Sequence, residues 1–345
     1  MMNTRLCRTF QTAPAGVPRD DSAKYLRSGL TTEGFQAPDW LVPDLEDGTA
    51  PDMKDEALEN VQGLLPEYAP EFAGEIWPRV EWAYDDGTTR ERGEEQIRTL
   101  AEAVGEHLDG VVVPKVGRLD DVQAAESAVA AAARETGADL ELAVIVETAR
   151  ARSDLREIAR FGGDSRLAAL VFGPVDYTAE LGGRELGGAT GDERPAWPSL
   201  YEAMSNEASA NDIAAIGGPF DRLFRERAGV TFYNGDGYAD HVEREARVGL
   251  DGSWSLHPNQ TAQANRIHLP TDEELRTAVR KIEAFTEAKD TGTGAVAIDG
   301  QMVDEATLKN FENTVATVRA VHDARESQTT EFYDEDLLDR ALAVA

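Results

Sequence analysis

The chain has 345 residues and a formal charge of −31, from 65 Asp and Glu against 34 Lys and Arg. Hydrophobic residues make up 41%, which supports a sizeable core and excludes wholesale disorder, and this excess of negative charge excludes nucleic acid as a partner. No apolar run approaches the roughly 18 residues of a membrane span, residues 1–10 do not read as a signal peptide, and the single cysteine, Cys7, excludes a disulfide framework or a Cys-based zinc site. These features predict a cytoplasmic protein with no membrane partner.

Short β-branched runs alternate with amphipathic stretches along the chain. Strands are predicted at 7–12, 40–44, 75–80, 110–114, 140–147, 168–173, 213–217 and 253–257, with intervening helices that include 53–65, 91–104, 119–135, 149–160 and 197–210. Eight strands, each followed by a helical stretch, predict an α/β fold of the (β/α)8 TIM-barrel type. An open doubly wound sheet would carry a Gly-rich phosphate turn after an early strand, and none is present. After residue 268 the pattern changes to helix 272–289, a Gly-punctuated stretch 291–300, helix 305–325, a polar link 326–331 and a last helix 335–343. We read residues 1–268 as the catalytic barrel and 269–345 as a C-terminal helical lid or oligomerisation segment.

The acidity is spread over the whole chain, and only 6 of the basic residues are Lys. This distribution fits a surface adapted to molar salt, where the Debye length falls to about 3 Å, better than an acidic docking face.

In a barrel of this kind chemistry gathers where strands end. Those positions hold Asp44-Leu45-Glu46-Asp47, Pro78-Arg79, Pro114-Lys115, Glu147-Thr148, Gly173 with Asp176, Gly217-Gly218-Pro219 and Leu256-His257-Pro258. Carboxylates such as Glu147 and Asp176, each following an apolar run, suit a hard cation such as Mg²⁺; the ordinary alternative is helix capping or ion pairing. The Arg79 guanidinium suits a substrate carboxylate or a developing enolate oxygen, or else neutralises Asp44, Glu46 or Asp47. Lys115 has the same two readings. His257 is either an acid/base group or a structural histidine, and Cys7 reads as inert core. A Ser-His-Asp mechanism has no G-x-S-x-G elbow to rest on.

Taken in order, Arg8-Thr9 with Pro14, Asp44-Leu45-Glu46-Asp47, Arg79, Pro114-Lys115, Glu147-Thr148, Gly173 with Asp176, His257-Pro258-Asn259-Gln260 and Gly300-Gln301-Met302-Val303-Asp304 form a pattern. It resembles the citrate lyase β-subunit-like branch of the HpcH/HpaI aldolases over nearly the whole chain. With the salt signature, the members from salt-loving archaea are the nearest match. The resemblance implies a Mg²⁺-dependent barrel enzyme, with Mn²⁺ as a substitute, assembled as a homotrimer or homohexamer. It implies reversible aldol- or Claisen-type cleavage of β-methylmalyl-CoA or malyl-CoA to glyoxylate plus propionyl-CoA or acetyl-CoA. By the same resemblance Glu147 and Asp176 are metal ligands, Arg79 binds the oxyanion, and Glu46 and Asp47 support the metal waters and Arg79. Asp304 is the acid/base group, reaching a neighbouring subunit's site, while Arg8, Lys24, Lys115 and Pro258 meet the substrate and its CoA portion. The sequence departs from the family's usual Pro-Gly turn at Ala13-Pro14-Ala15-Gly16, and the insertion 180–197 has no counterpart. The rival functions are a malyl-CoA thioesterase or apparent malate synthase, and a non-catalytic CoA-binding protein.

Overall fold

Each apolar run forms a strand in the computed structural model, which describes residues 5–183, 197–227, 229–290 and 294–344. The strands are β1 (Thr9–Pro14), β2 (Trp40–Asp44), β3 (Glu75–Ile76), β4 (Gly110–Val113), β5 (Glu141–Val146), β6 (Leu167–Phe172) and β7 (Ala214–Ile216), then β8 (Phe224–Arg227), β9 (Val230–Tyr233) and β10 (Ser253–Ser255). Parallel pairing runs in the order β10-β1-β2-β3 and β4-β5-β6-β7. Isolated bridges close the two arcs into a barrel: Arg79 pairs with both Asp44 and Val112, and Ile216 pairs with Gly252. β3 is short because Pro78 has no N–H to donate, and the ladder resumes at Arg79, whose N–H reaches Pro43 O at 2.8 Å.

Strand alternation separates two cores. Phe10, Trp40, Val42, Trp77, Val112, Ile145, Val171, Ile216 and Trp254 fill the barrel interior, with Ala143, Ala169 and Ala214 leaving room for the three tryptophans. Trp40 and Trp77 stack with centroids 4.2 Å apart. Their neighbours Leu41, Val111, Val113, Leu142, Val144, Leu170 and Phe172 face outward and join the helix-side core. Burial on both faces explains why these strands read as continuous apolar runs.

The helices are α1 (Lys24–Thr31), α2 (Lys54–Tyr68), α3 (Gly87–Val104), α4 (Leu119–Thr136), α5 (Ala149–Ser153), α6 (Leu155–Gly162), α7 (Pro174–Glu180), α8 (Trp197–Ser209), α9 (Gly235–Val248) and α10 (Pro258–Ile267). The single helix expected at 149–160 is two, divided at Asp154, whose backbone leaves the helical region and whose carboxylate takes Arg118 at 2.5 Å. The antiparallel ribbon β8-β9 and helix α9 had no place in the sequence reading. Of the insertion at 180–197, residues 184–196 lie outside the described residues.

The chain divides into a unit over Cys7–Asn265 and a second over Arg266–Ala345 that includes Leu6, so the boundary falls slightly ahead of the expected residue 268. The second unit contains α11 (Asp272–Asp290), β11 (Ala295–Ile298), β12 (Gln301–Asp304), α12 (Glu305–Phe332) and α13 (Glu335–Ala343). Its core is built from Leu275, Val279, Ile282, Phe285, Val303, Val315, Val318, Val321, Leu337 and Leu338. The stretch expected as a Gly-punctuated turn contains a β-hairpin, β11-β12, closed by Asp299 and Gly300. Both turn residues have positive φ (52° and 78°), as a tight two-residue hairpin turn requires. The polar link expected at 326–331 is instead helical, continuing α12 past a kink at Arg325. Gln328 and Thr329 are buried there, so polar composition concealed an inward face. Among the described residues no helix is long and apolar enough to cross a membrane.

Candidate active site

The C-terminal ends of β2 to β6 bring together most of the residues singled out in the sequence. Asp44, at the end of β2, holds Arg79 in a bidentate pair, with Nε to Oδ1 at 2.8 Å and NH2 to Oδ2 at 2.6 Å. The same carboxylate accepts the backbone N–H groups of Glu46 (2.9 Å) and Gly48 (2.8 Å), so one side chain fixes both the loop and the cation. A Cβ at Gly48 would collide with Asp44, which accounts for glycine there. Arg79 NH1 lies 3.4 Å from Glu46 Oε2, and its guanidinium carbon lies 5.7 Å from the centre of the Trp254 ring. Burial opposes the Arg79 charge, but Asp44, Glu46 and Glu147 outweigh it and hold this group protonated well above its ordinary range. Of the three partners that the sequence offered to Arg79 (Asp44, Glu46 and Asp47), it is Asp44 that anchors it, with Glu46 alongside.

Glu147 follows β5 and is 4% exposed. Its Oε1 accepts the Lys115 N–H at 2.6 Å, and Gly173 makes its space, since a Cβ there would collide with Glu147 Oε2. Burial first, and then repulsion from Asp176 in the first turn of α7, push the Glu147 carboxyl up to about 8 from an ordinary 4.5. Lys115 occupies the left-handed region at φ 48°, a strained conformation for a residue with a side chain. It lets the backbone N–H serve Glu147 while Nζ donates to Glu46 and, at 2.7 Å, to Asp47. Burial opposes the Lys115 charge, and its two carboxylates more than restore it. Asp47 is held below its usual range by Lys115 in spite of partial burial, whereas burial raises Glu46 despite Arg79 and Lys115.

The remaining positions are distributed elsewhere. Lys24 is exposed at the start of α1, in the connection that follows the C-terminal end of β1. Pro258 opens α10 after β10, where His257 caps the helix: its Nδ1 accepts the Asn259 N–H at 3.1 Å. The geometry therefore gives His257 a structural part. Cys7 is buried in the interior cluster. Arg8 does not reach this end of the barrel. It precedes β1 at the opposite end, buried, with Nε and NH2 on Asp39 at 2.8 and 2.9 Å and NH1 on Asn265 O at 3.2 Å. Those bonds commit the guanidinium to structure and remove it from contact with a ligand at the mouth. Asp304 belongs to the second unit, exposed at the end of β12, where Oδ1 accepts the Thr307 N–H and hydroxyl, each at 2.8 Å. The Thr307 N–H, with the Thr307 hydroxyl, stabilises the ionised carboxylate and holds Asp304 below the ordinary carboxylate range.

The donor set fits a hard divalent cation. Glu147 and Asp176 repel one another where a cation would relieve both, and Glu46 Oε2 is buried with no hydrogen-bond partner. Among the described residues no three His, Cys, Asp or Glu side chains converge on one metal position. Two carboxylates, with the remaining positions left to water and substrate, would suit Mg²⁺.

The fold is a parallel (β/α)8 barrel, and its mouth sets a fixed guanidinium beside a carboxylate pair, an arrangement able to stabilise a developing anion. The HpcH/HpaI aldolase/citrate lyase family model matches residues 30–258, and the chain belongs to that family. It is 66% identical over 344 residues to the L-malyl-CoA/β-methylmalyl-CoA lyase of Haloarcula marismortui, covering 99% of this chain and 98% of the relative. Among solved structures, a magnesium/glyoxylate complex of Haloferax volcanii malate synthase superposes with a TM-score of 0.70 at 31% identity, over 99% of each chain. A pyruvate/acetyl-CoA ternary complex of the same protein gives 0.69 at 32% identity, again over 99% of each.

Proposed function

We propose that this chain is a carbon–carbon lyase acting on malyl-CoA and β-methylmalyl-CoA, forming glyoxylate with acetyl-CoA or propionyl-CoA. The observation that carries the reading is Arg79, clamped by Asp44 beside the Glu147–Asp176 carboxylate pair. The α-proton of a thioester is too weakly acidic for an unaided aspartate, so the enolate oxygen needs a cation already in place as charge develops. Arg79 meets that need: it is always charged, and its bidentate anchor removes any reorganisation at the moment of reaction.

Glu147 and Asp176 would hold Mg²⁺, or Mn²⁺ in its place, and the ion would polarise the carboxylate and carbonyl oxygens of glyoxylate. Glu46 and Asp47, bridged by Lys115, would orient water around that ion. Lys24 would meet the polar end of CoA, and Pro258 would line the mouth. Asp304 would move the proton in a neighbouring subunit's site, within a homotrimer or homohexamer. Its cap keeps it ionised, as a proton acceptor must be, but makes it a weak base, which increases the demand on Arg79. The dispersed acidity supports a cytoplasmic setting of molar salt.

A second reading, thioester hydrolysis to give net malate synthesis, is favoured by the likeness to the Haloferax volcanii malate synthase structures. Product analysis in molar KCl separates the two. Malyl-CoA should yield glyoxylate and acetyl-CoA, with the reaction abolished by EDTA; release of free CoA and malate alone would establish the hydrolytic reading. Absence of any metal-dependent turnover would leave a CoA-binding protein.

A further inference from the structure

We infer that His241 and Glu245 of α9 are positioning residues for the Asp176 carboxylate, acting through the Gly217-Gly218 turn; the inference rests on the metal reading above. The two side chains are one helical turn apart and buried, Glu245 completely. His241 Nε2 lies 3.0 Å from Gly218 O and 3.1 Å from Glu245 Oε1, so its N–H donates to acceptors only. Glu245 Oε1 in turn accepts the Gly218 N–H at 3.0 Å. Both polar groups of one peptide residue past the end of β7 are thereby gripped from α9.

The grip is transmitted by close packing. A side chain at Gly217 would collide with the Glu245 carboxylate, and a Cβ at Gly218 would fall 2.7 Å from Pro174 Cδ and 2.9 Å from Cγ. Pro174 is the first residue of α7, and Asp176 lies in that helix's first turn. The turn therefore sets where α7 begins, and with it the position of the Asp176 carboxylate, whose charge acts on Glu147. Glu245 Oε2 is buried with no hydrogen-bond partner, a cost that an apolar residue at this position would avoid. A carboxylate kept there at that cost acts on the turn it holds.

The test is Mn²⁺ binding to the full chain in molar KCl, followed by electron paramagnetic resonance, beside acetyl-CoA binding by equilibrium dialysis. His241→Ala, Glu245→Ala and Gly218→Ala should each weaken Mn²⁺ about tenfold, at the lower end of the effect of residues that orient metal ligands, with acetyl-CoA affinity unchanged. Glu245→Gln keeps the acceptor for the Gly218 N–H and should restore Mn²⁺ affinity to within about twofold of the parent. If Glu245→Ala does not fold, Gly218→Ala carries the test with the pair intact. Asp176→Asn is the reference: if it leaves Mn²⁺ binding unchanged, the metal reading itself fails. If Asp176→Asn weakens Mn²⁺ while the α9 and turn variants do not, the positioning role is overturned. Joint loss of Mn²⁺ and acetyl-CoA binding would also overturn it, as general damage to the barrel.

Discussion

The barrel mouth and the β12–α12 junction each carry a carboxylate assigned to chemistry, and the two are held in opposite ways. Glu147 is buried, fed one N–H by a strained Lys115, and crowded by Asp176, so burial and that repulsion push its carboxyl up to about 8. Asp304 is exposed, satisfied by Thr307, and held below the ordinary value. A low-dielectric pocket that disfavours charge is primed to accept a cation, which supplies what burial removed. A solvated cap already has what it needs from its own helix and gains a further function only when another surface covers it. The difference teaches that the mouth is preorganised within one barrel, whereas the role proposed for Asp304 would require another surface to cover it.

The strongest way to break this comparison is to neutralise the buried member. Glu147→Gln should lower turnover on the order of 10³-fold or more, because the cation's share of the stabilisation amounts to several kcal/mol. Full activity of this variant after EDTA treatment would remove Glu147 from the metal site.

Asp304→Asn should cost about 10² to 10⁴ in rate, the range for a general base, with Mn²⁺ affinity unchanged. Mixing it with Glu147→Gln under conditions of proven subunit exchange should regenerate activity, because some sites would combine an intact Glu147 with an intact Asp304. Persistent inactivity would confine Asp304 to its own chain or to its cap.

The buried carboxylate also predicts a pH dependence of metal binding. Below about 8 Glu147 holds a proton that the cation must displace, so each unit of pH decrease should weaken Mg²⁺ about tenfold, with a plateau above that value. The stability of the metal-free protein runs the other way. Between about 4.5 and 8 the folded state keeps a proton that the unfolded chain releases, so this contribution is lost as pH rises through that window. Calorimetric titration with Mg²⁺ from pH 6 to 9, and melting with EDTA over the same range, check both signs.

The smallest effect sharpens the assignment of Asp304. Asn caps a helix about as well as Asp, so Asp304→Asn should leave the melting temperature unchanged, whereas Asp304→Ala should cost about 1 kcal/mol. A stability loss in Asp304→Asn would show that its charge, beyond its cap, supports the second unit.

Much of this arrangement was present in the sequence. Eight apolar runs at barrel spacing became eight parallel strands because residues buried on both faces leave an unbroken signal. The Asp-Leu-Glu-Asp run, Arg79, Lys115, Glu147 and Asp176 stood at strand ends, and strand ends of one barrel share a mouth by geometry. What only the tertiary structure decided is which partner each charge takes. Asp44 rather than Glu46 or Asp47 clamps Arg79, and Arg8 binds Asp39 at the opposite end of the barrel, because pairing is set by distances across strands that a linear pattern does not encode. The division of 149–160 at Asp154, the inward face of 326–331 and the grip of α9 on Gly218 were hidden for the same reason. Local composition reports solubility and propensity, while burial and charge pairing are properties of what the fold brings alongside.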